Sequence, residues 1–330
     1  MTQPNYRYQE KDVDEIVIRD FSFDFPDDID PVWLPGNRVR SHLFNGLSLT
    51  MPYLEPYLIR SILRARDQVD DPRLIDDMLH FNRQEANHFK CHRRYNELLK
   101  ANGYPELARV EEHMTKAYAR LEEKSLQTQL AYSAGFESMT CGFTNWFVNK
   151  RVQLFGGADP YVSSFWIMHM IEEGEHKTVA YDAYMACSGK YLPRMLGVFH
   201  GSWHVVGLGF WAMLVALKKD KLLYRPKTLF GIVKETALMC INVGPFMLRA
   251  LMPGFNPRQE NEPQWMDEWI KGYATLPAGA SIPLVDTDDP EMPVPFSCGK
   301  DTDRKADRWI MKRKIFEKAS ACWLVTAPSY

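Results

Sequence analysis

Two short segments carry the same pair of residue types at the same spacing. Glu85-Ala86-Asn87-His88 and Glu173-Gly174-Glu175-His176 both read Glu-x-x-His. Three residues apart on a helix puts a carboxylate and an imidazole on one face, where they can hold one metal ion or two adjacent ions. A metal centre inside a helical bundle also needs one Glu from each of two further helices. Glu55 and Glu137 fit, lying 30 and 36 residues before Glu85 and Glu173. Each sits in an apolar run, MPYLEPYLI and SAGFESMTCGF, where a carboxylate is costly unless paired or bound to metal. His169 stands four residues before Glu173 on the same stripe, and His92 four after His88. His169 is expected as a ligand, with a supporting hydrogen-bond role as the alternative; for His92 the supporting role is the expectation. A salt-bridged core without metal would explain one such pair. It does not explain four carboxylates and two histidines at bundle spacing. Glu172 and Glu175 are read as solvent-facing or as supports for the ligands, and Tyr53, Tyr132 and Tyr181 as packing aromatics.

Helices must position these residues, and the chain is punctuated for them. Asp70-Asp71-Pro72 stops one helix and starts the next; Asn102-Gly103 with Pro105 makes a second break. Gly156, Gly157, Asp159 and Pro160 make the cleanest one: glycines end a helix, Asp caps and Pro opens its successor. Gly189 with Pro193 and Arg225-Pro226 follow. Antiparallel pairs 38–69/72–101 and 126–155/160–188 then bracket a charged stretch, 105–124, read as a solvated crossover helix. No alternating apolar run is long enough for a sheet. The expected fold is all-α, a ferritin-type four-helix bundle with a carboxylate/histidine di-metal site and additional C-terminal apolar helices. The register agrees: Glu55 and Glu85 both lie roughly 20 Å from the first turn at 1.5 Å per residue. Glu137 and Glu173 mismatch by about 7 Å, which closes if the third helix ends near Arg151. Gly174 and Pro56 are poor helix formers beside ligands and mark expected kinks.

The remainder sets boundaries. The chain has 330 residues, 40 Lys+Arg against 42 Asp+Glu, and 45% apolar residues. That is the composition of a folded globular protein, and near-neutral charge argues against nucleic acid as a partner. The cysteines at 91, 141, 187, 240, 298 and 322 are never closer than 24 residues, which excludes Cys-x-x-Cys metal or redox spacing. The N-terminal residues are polar without an apolar core, so a cytoplasmic location is expected. Residues 1–36 read as an extended arm, draped over a neighbour or a partner subunit; 37–190 as the di-metal bundle; 191–257 as an apolar helical extension; and 258–330 as a polar segment with a short basic helix at 303–319. Residues 196–217 contain no Asp, Glu, Lys or Arg, a run long enough to span a bilayer, and 236–252 is a second apolar stretch. Three readings compete for them: buried helices on the bundle or at a homodimer interface, membrane association through 196–252, or a tunnel for an apolar substrate. Gly201, Gly207 and Gly209 allow close helix approach in the first two. His200 and His204 share a face there but have no Asp, Glu or Cys nearby in sequence, and are left out of the metal set.

The stretches FNGLSLTMPYLE, FNRQEANHFKCHRRYN and MHMIEEGEHKTVAYDAY resemble a bacterial family of ferritin-like proteins known as predicted metal-dependent hydrolases; the similarity runs from about Arg38 to Pro257. The order of motifs is also similar to that of di-iron N-oxygenases acting on p-aminobenzoate-type arylamines. That second resemblance implies as ligands Glu55, Glu85, His88, Glu137, His169, Glu173 and His176. Mixed carboxylate and imidazole ligands suit iron, with manganese as the alternative.

The first expectation is therefore a non-haem di-iron oxidoreductase: an oxygenase, hydroxylase, N-oxygenase or desaturase that uses O2 and an external electron donor. Its substrate would be a hydrophobic or aromatic small molecule, and it would need an electron-transfer partner. The alternatives are a two-metal hydrolase, which the family's name implies, and a non-enzymatic iron-binding protein.

Overall fold

Four of the bundle's helix starts are fixed by side chains that the sequence already offers. In the computed structural model, which describes residues 6–9 and 16–296, Asn37 accepts from the Arg40 N–H and opens α1 (Arg38–Arg66). Asp71 does the same for α2 (Pro72–Ala101), with Pro72 in the first turn. Ser125 caps α4 (Leu126–Asn149), and Asp159 accepts from the Tyr161 and Val162 N–H groups to cap α6 (Pro160–His176). Such caps satisfy amides that would otherwise lack partners. Between the pairs, α3 (Ala108–Glu122) crosses over, burying only Val110, Met114, Tyr118 and Leu121.

Two boundaries differ from the expected ones. The third long helix stops at Asn149, and a short α5 (Arg151–Phe155) follows it, which is the early ending the register of Glu137 and Glu173 required. The fourth is not continuous to 188. It breaks directly after His176 and resumes as α7 (Val179–Cys187). Gly174 lies beside that break, and a Cβ there would lie 2.4 Å from the Met266 methyl, so the glycine makes room for a neighbouring helix.

α1, α2, α4 and the α6–α7 pair form the four-helix core; every described element is helix or loop. The hydrophobic centre is dense in large rings, with Phe44, Phe81, Phe147, Phe165 and Trp166 almost fully buried. Residues 16–36 of the N-terminal arm lie on their own bundle. Phe21, Phe23 and Phe25 alternate inward and stack edge-on against Phe165 or its neighbours.

The apolar extension wraps the bundle. α8 (Tyr191–Lys219) fills the groove between α1 and α4. The approach is backbone to backbone: a Cβ on Gly135 would lie 2.2 Å from the Gly197 carbonyl oxygen, and one on Gly46 2.1 Å from that of Gly209. α9 (Pro226–Ala250) packs on α4 and is pinned to α1 by a buried ion pair, Arg40 Nε to Glu235 Oε2 at 3.0 Å. Both helices are long and apolar enough to cross a membrane by composition, yet both keep one face on the protein. After α9, α10 (Gln264–Tyr273) caps one end of the bundle through Trp265, Met266 and Trp269. The segment 303–319 lies outside the described residues.

Candidate metal centre

All seven residues singled out by spacing meet in the middle of the bundle. Glu55 comes from α1, Glu85 and His88 from α2, Glu137 from α4, and His169, Glu173 and His176 from α6. Each is at most 1% exposed. They fall into two clusters. In one, ligand atoms of Glu85, His88, Glu173 and His176 all lie within 4.8 Å of one another; in the other, those of Glu55, His92 and His169 do. Glu137 borders the first, its Oε2 3.7 Å from His176 Nδ1. Glu173 joins the two: its Oε1 is 2.9 Å from His169 Nε2 and 3.9 Å from His88 Nδ1.

The polar atoms of this chamber are mostly without partners. Both oxygens of Glu55, Glu85 and Glu137, Oε2 of Glu173, Nδ1 of His88 and both ring nitrogens of His176 are buried and make no hydrogen bond. A buried polar group left unpaired costs roughly 1–3 kcal/mol, more when charged. So many in one place fit cations that the side chains were arranged to receive. Four carboxylates would neutralise two divalent ions, and the donors are all oxygen or imidazole nitrogen, as iron or manganese prefers.

The electrostatics of the bare chamber agree. Burial, then repulsion from neighbouring carboxylates, drives Glu55, Glu85 and Glu137 well above the usual carboxylate range. Burial pushes Glu173 upward too, but the pull of the His176, His169 and His88 rings in their protonated forms, with a hydrogen bond from His169, outweighs it and holds that carboxyl down at about 2. Burial lowers His88, His92 and His176, keeping their rings neutral and their lone pairs available.

Supporting residues fix which nitrogen points inward. His88 Nε2 donates to Glu172 Oε2 at 2.8 Å, leaving Nδ1 to face Glu85 and Glu173. Glu172 is held in turn by Arg19, which also forks onto Glu175 at 2.5 and 2.7 Å. Arg19 lies beneath the Trp269 and Tyr273 rings of α10. Glu172 and Glu175 are therefore buried supports, not solvent-facing. Burial raises the Glu172 carboxyl to about 7 against the pull of Arg19.

A second chain starts at Asn96. Its Nδ2 donates to the Ser48 carbonyl, so its Oδ1 accepts from Ser48 Oγ–H. Ser48 Oγ then accepts from His92 Nδ1–H, His92 Nε2 accepts from His169 Nδ1–H, and His169 Nε2 is turned to Glu173 Oε1 at hydrogen-bond distance, 2.9 Å, with Glu55 Oε1 at 3.7 Å. His92 is thus occupied on both nitrogens and orients His169, despite its place in the second cluster. Arg19, Ser48 and Asn96 escaped the sequence reading. Asn96 was findable, since it continues the Glu85, His88, His92 stripe by one more turn. Arg19 carries no such mark beyond its position in an alternating extended arm.

His200 and His204 stay outside this centre. His204 Nδ1 bonds Tyr132 Oη at 2.9 Å, and burial lowers its ring to about 4. Neither histidine belongs to a metal-capable cluster among the described residues.

A helical bundle whose centre gathers carboxylates and imidazoles, many of their inward atoms without hydrogen-bond partners, is the design of a metal-dependent protein. The chain belongs to the family described as predicted metal-dependent hydrolase, whose model matches residues 17–261. No curated protein and no solved structure matches it. The matched span holds all seven residues together with Arg19, Ser48, His92 and Asn96. The family's description favours the hydrolytic alternative over the oxidative expectation.

Proposed function

We propose that the protein is an O2-activating oxidoreductase that holds two iron ions between Glu55, Glu85, His88, Glu137, His169, Glu173 and His176 and acts on an apolar or aromatic small molecule. The observation that carries this reading is a cavity of about 30 Å³ against Glu173 and His169. Its walls are almost wholly apolar: Leu47, Met51, Phe136, Met139, Phe143 and Trp166 among others. A trapped water needs two to four polar partners. An apolar diatomic needs none, so the space suits O2.

When bound, an iron pair supplies electrons for reducing O2 and thereby an oxidant for C–H or N–H bonds. The protein's share is positional. Arg19 locks Glu172, which holds His88 Nδ1 inward. Asn96, Ser48 and His92 hold His169 Nε2 inward. The rings around the cavity exclude bulk water. An electron-transfer partner must provide reducing equivalents.

Hydrolysis is the second reading, and the family's description supports it. Two metal ions would then lower the pKa of a water. The discriminating experiment mixes the anaerobic iron(II) protein with O2 and follows the visible spectrum, while manganese- and zinc-loaded protein is assayed on ester and phosphoester substrates. Transient visible absorption with no ester turnover is expected. Turnover without any O2 reaction would leave hydrolysis standing alone.

A further inference from the structure

Most of the exposed large apolar side chains among the described residues lie on the outer sides of α8 and α9. On α9, Phe230, Val233, Ile241 and Leu248 are 66–70% exposed and share one face of the helix. On α8, Leu192, Leu196, Phe199 and Trp203 continue the face, Trp203 at 80%. Apolar area on this scale marks a surface that meets something.

Its charge pattern says what. Lys218, Lys221, Arg225, Lys227 and Lys234 are exposed around the α8–α9 connection; Lys219, also exposed, pairs with Glu106. The acidic residues within 218–235 are Asp220 and Glu235, and both are already engaged: Asp220 with Arg38, His42 and Tyr104, Glu235 with Arg40. Tyr224, 81% exposed, stands among the cations. Cations and interfacial aromatics bordering an apolar face are the signature of contact with anionic lipid. A cavity of about 650 Å³ opens on the same side, lined by Tyr132, Leu196, Phe199, Trp203 and His204 among others.

We propose that the α8–α9 face docks on the surface of an anionic membrane, with both helices lying in the interface plane. They do not cross it. The inner side of α8 is sealed backbone to backbone at Gly197 and Gly209, and α9 is held by Glu235, so neither helix can be surrounded by lipid without tearing off the bundle. This inference stands apart from the chemistry proposed above.

The test is flotation of the full chain with vesicles of phosphatidylcholine alone or mixed with phosphatidylglycerol. The protein is expected to float with the mixed vesicles, less with the neutral ones, and less at high salt. Val233→Glu combined with Ile241→Glu should abolish flotation with helix content unchanged by circular dichroism. Lys218→Glu with Lys227→Glu should weaken binding to anionic vesicles about tenfold or more. Should the double Glu variant misfold, quenching by brominated lipids decides: wild-type tryptophan emission should be quenched, and Trp203→Phe less so. Protein that stays unbound with both vesicle types overturns the proposal. So does a stable dimer that Val233→Glu/Ile241→Glu splits and that binds no vesicles, since the covering surface would then be a second copy of the chain.

Discussion

The chamber between α1, α2, α4 and α6 and the outer face of α8–α9 depart from ordinary folding rules in opposite directions. In the chamber, carboxylates and imidazoles are buried without hydrogen-bond partners. On the face, phenylalanine, tryptophan and isoleucine are exposed without cover. A folded chain normally avoids both, because unpaired buried polar atoms and exposed apolar patches each raise its free energy. The chain supplies neither missing half itself. What the comparison teaches is where to look for it: a cation for the interior, an apolar surface for the outside. The two regions share α1 and α4 as a wall, so a perturbation confined to one should leave the other intact.

The sharpest attempt to break that independence is ligand removal. Purified protein should carry about two iron ions per chain, the number this ligand set implies. Glu85→Ala or His176→Ala should remove most of the metal, read by elemental analysis, while vesicle flotation stays at wild-type strength. The metal-free variant should be no less stable than metal-free wild type, because deleting Glu85 relieves repulsion among buried carboxylates. One zinc per chain, unchanged by either substitution, would refute the site.

The reciprocal perturbation loosens the outer helices. Arg40→Ala leaves Glu235 charged, buried and without its guanidinium partner. Breaking a buried pair this way costs about 3–5 kcal/mol. Chemical denaturation should show that loss, with metal content preserved at temperatures where the variant is still folded. If the metal is lost along with the stability, the bundle and its wrapping are one cooperative unit and the comparison of two regions fails.

How far the sequence anticipated each region follows from how each is encoded. The chamber is written in side chains at fixed helical spacing, so Glu85/His88 and Glu173/His176 located it and Glu55 and Glu137 completed it. The caps Asp71 and Asp159 declared their own helices. What stayed hidden depends on contacts distant in sequence. Arg19 reaches Glu172 and Glu175 across more than 150 residues, from an arm without helical periodicity. The break after His176 has no proline, and Thr178 at the next N-cap makes no side-chain capping bond. For α8 and α9, composition showed that the helices were apolar but not which side was covered. That depended on Gly135 and Gly46 of other helices accepting the backbone of α8.

Acidity sharpens the account of the chamber. Without metal, carboxylates whose folded pKa is raised favour folding at low pH, and that advantage fades as pH rises from the unfolded value near 4.5 through the folded ones. The histidines work on the acid side: lowered folded pKa values take stability away as pH falls below 6.5. As pH rises above 6.5 the His88, His92 and His176 rings become neutral in the unfolded chain too, so their opposing effect fades and the carboxylates dominate, Glu172 titrating at about 7. The melting temperature of chelator-treated protein should therefore fall between pH 6.5 and 8. Metal-loaded protein should not follow it, since the ions hold the same carboxylates ionised. A flat profile for the metal-free protein would mean that the chamber is satisfied by something other than cations.

The smallest effects belong to the residues that aim the ligands. Supporting hydrogen bonds of this kind are typically worth about 10–100-fold in metal affinity. Arg19→Ala should fall toward the upper end, because it frees Glu172 and Glu175 together and leaves two buried carboxylates without their cation. Ser48→Ala should fall at the lower end. It removes a single hydroxyl between Asn96 and His92, after which His92 Nδ1–H has no acceptor and either tautomer of His92 is open. His169 then loses its fixed orientation toward Glu55 and Glu173 while every proposed ligand remains. Metal titration should show one of two equivalents weakened, the one held by Glu55 and His169, and the other unchanged. Equal weakening of both would mean that the two clusters act as one, with the Glu173 bridge outweighing the separate alignment of each histidine.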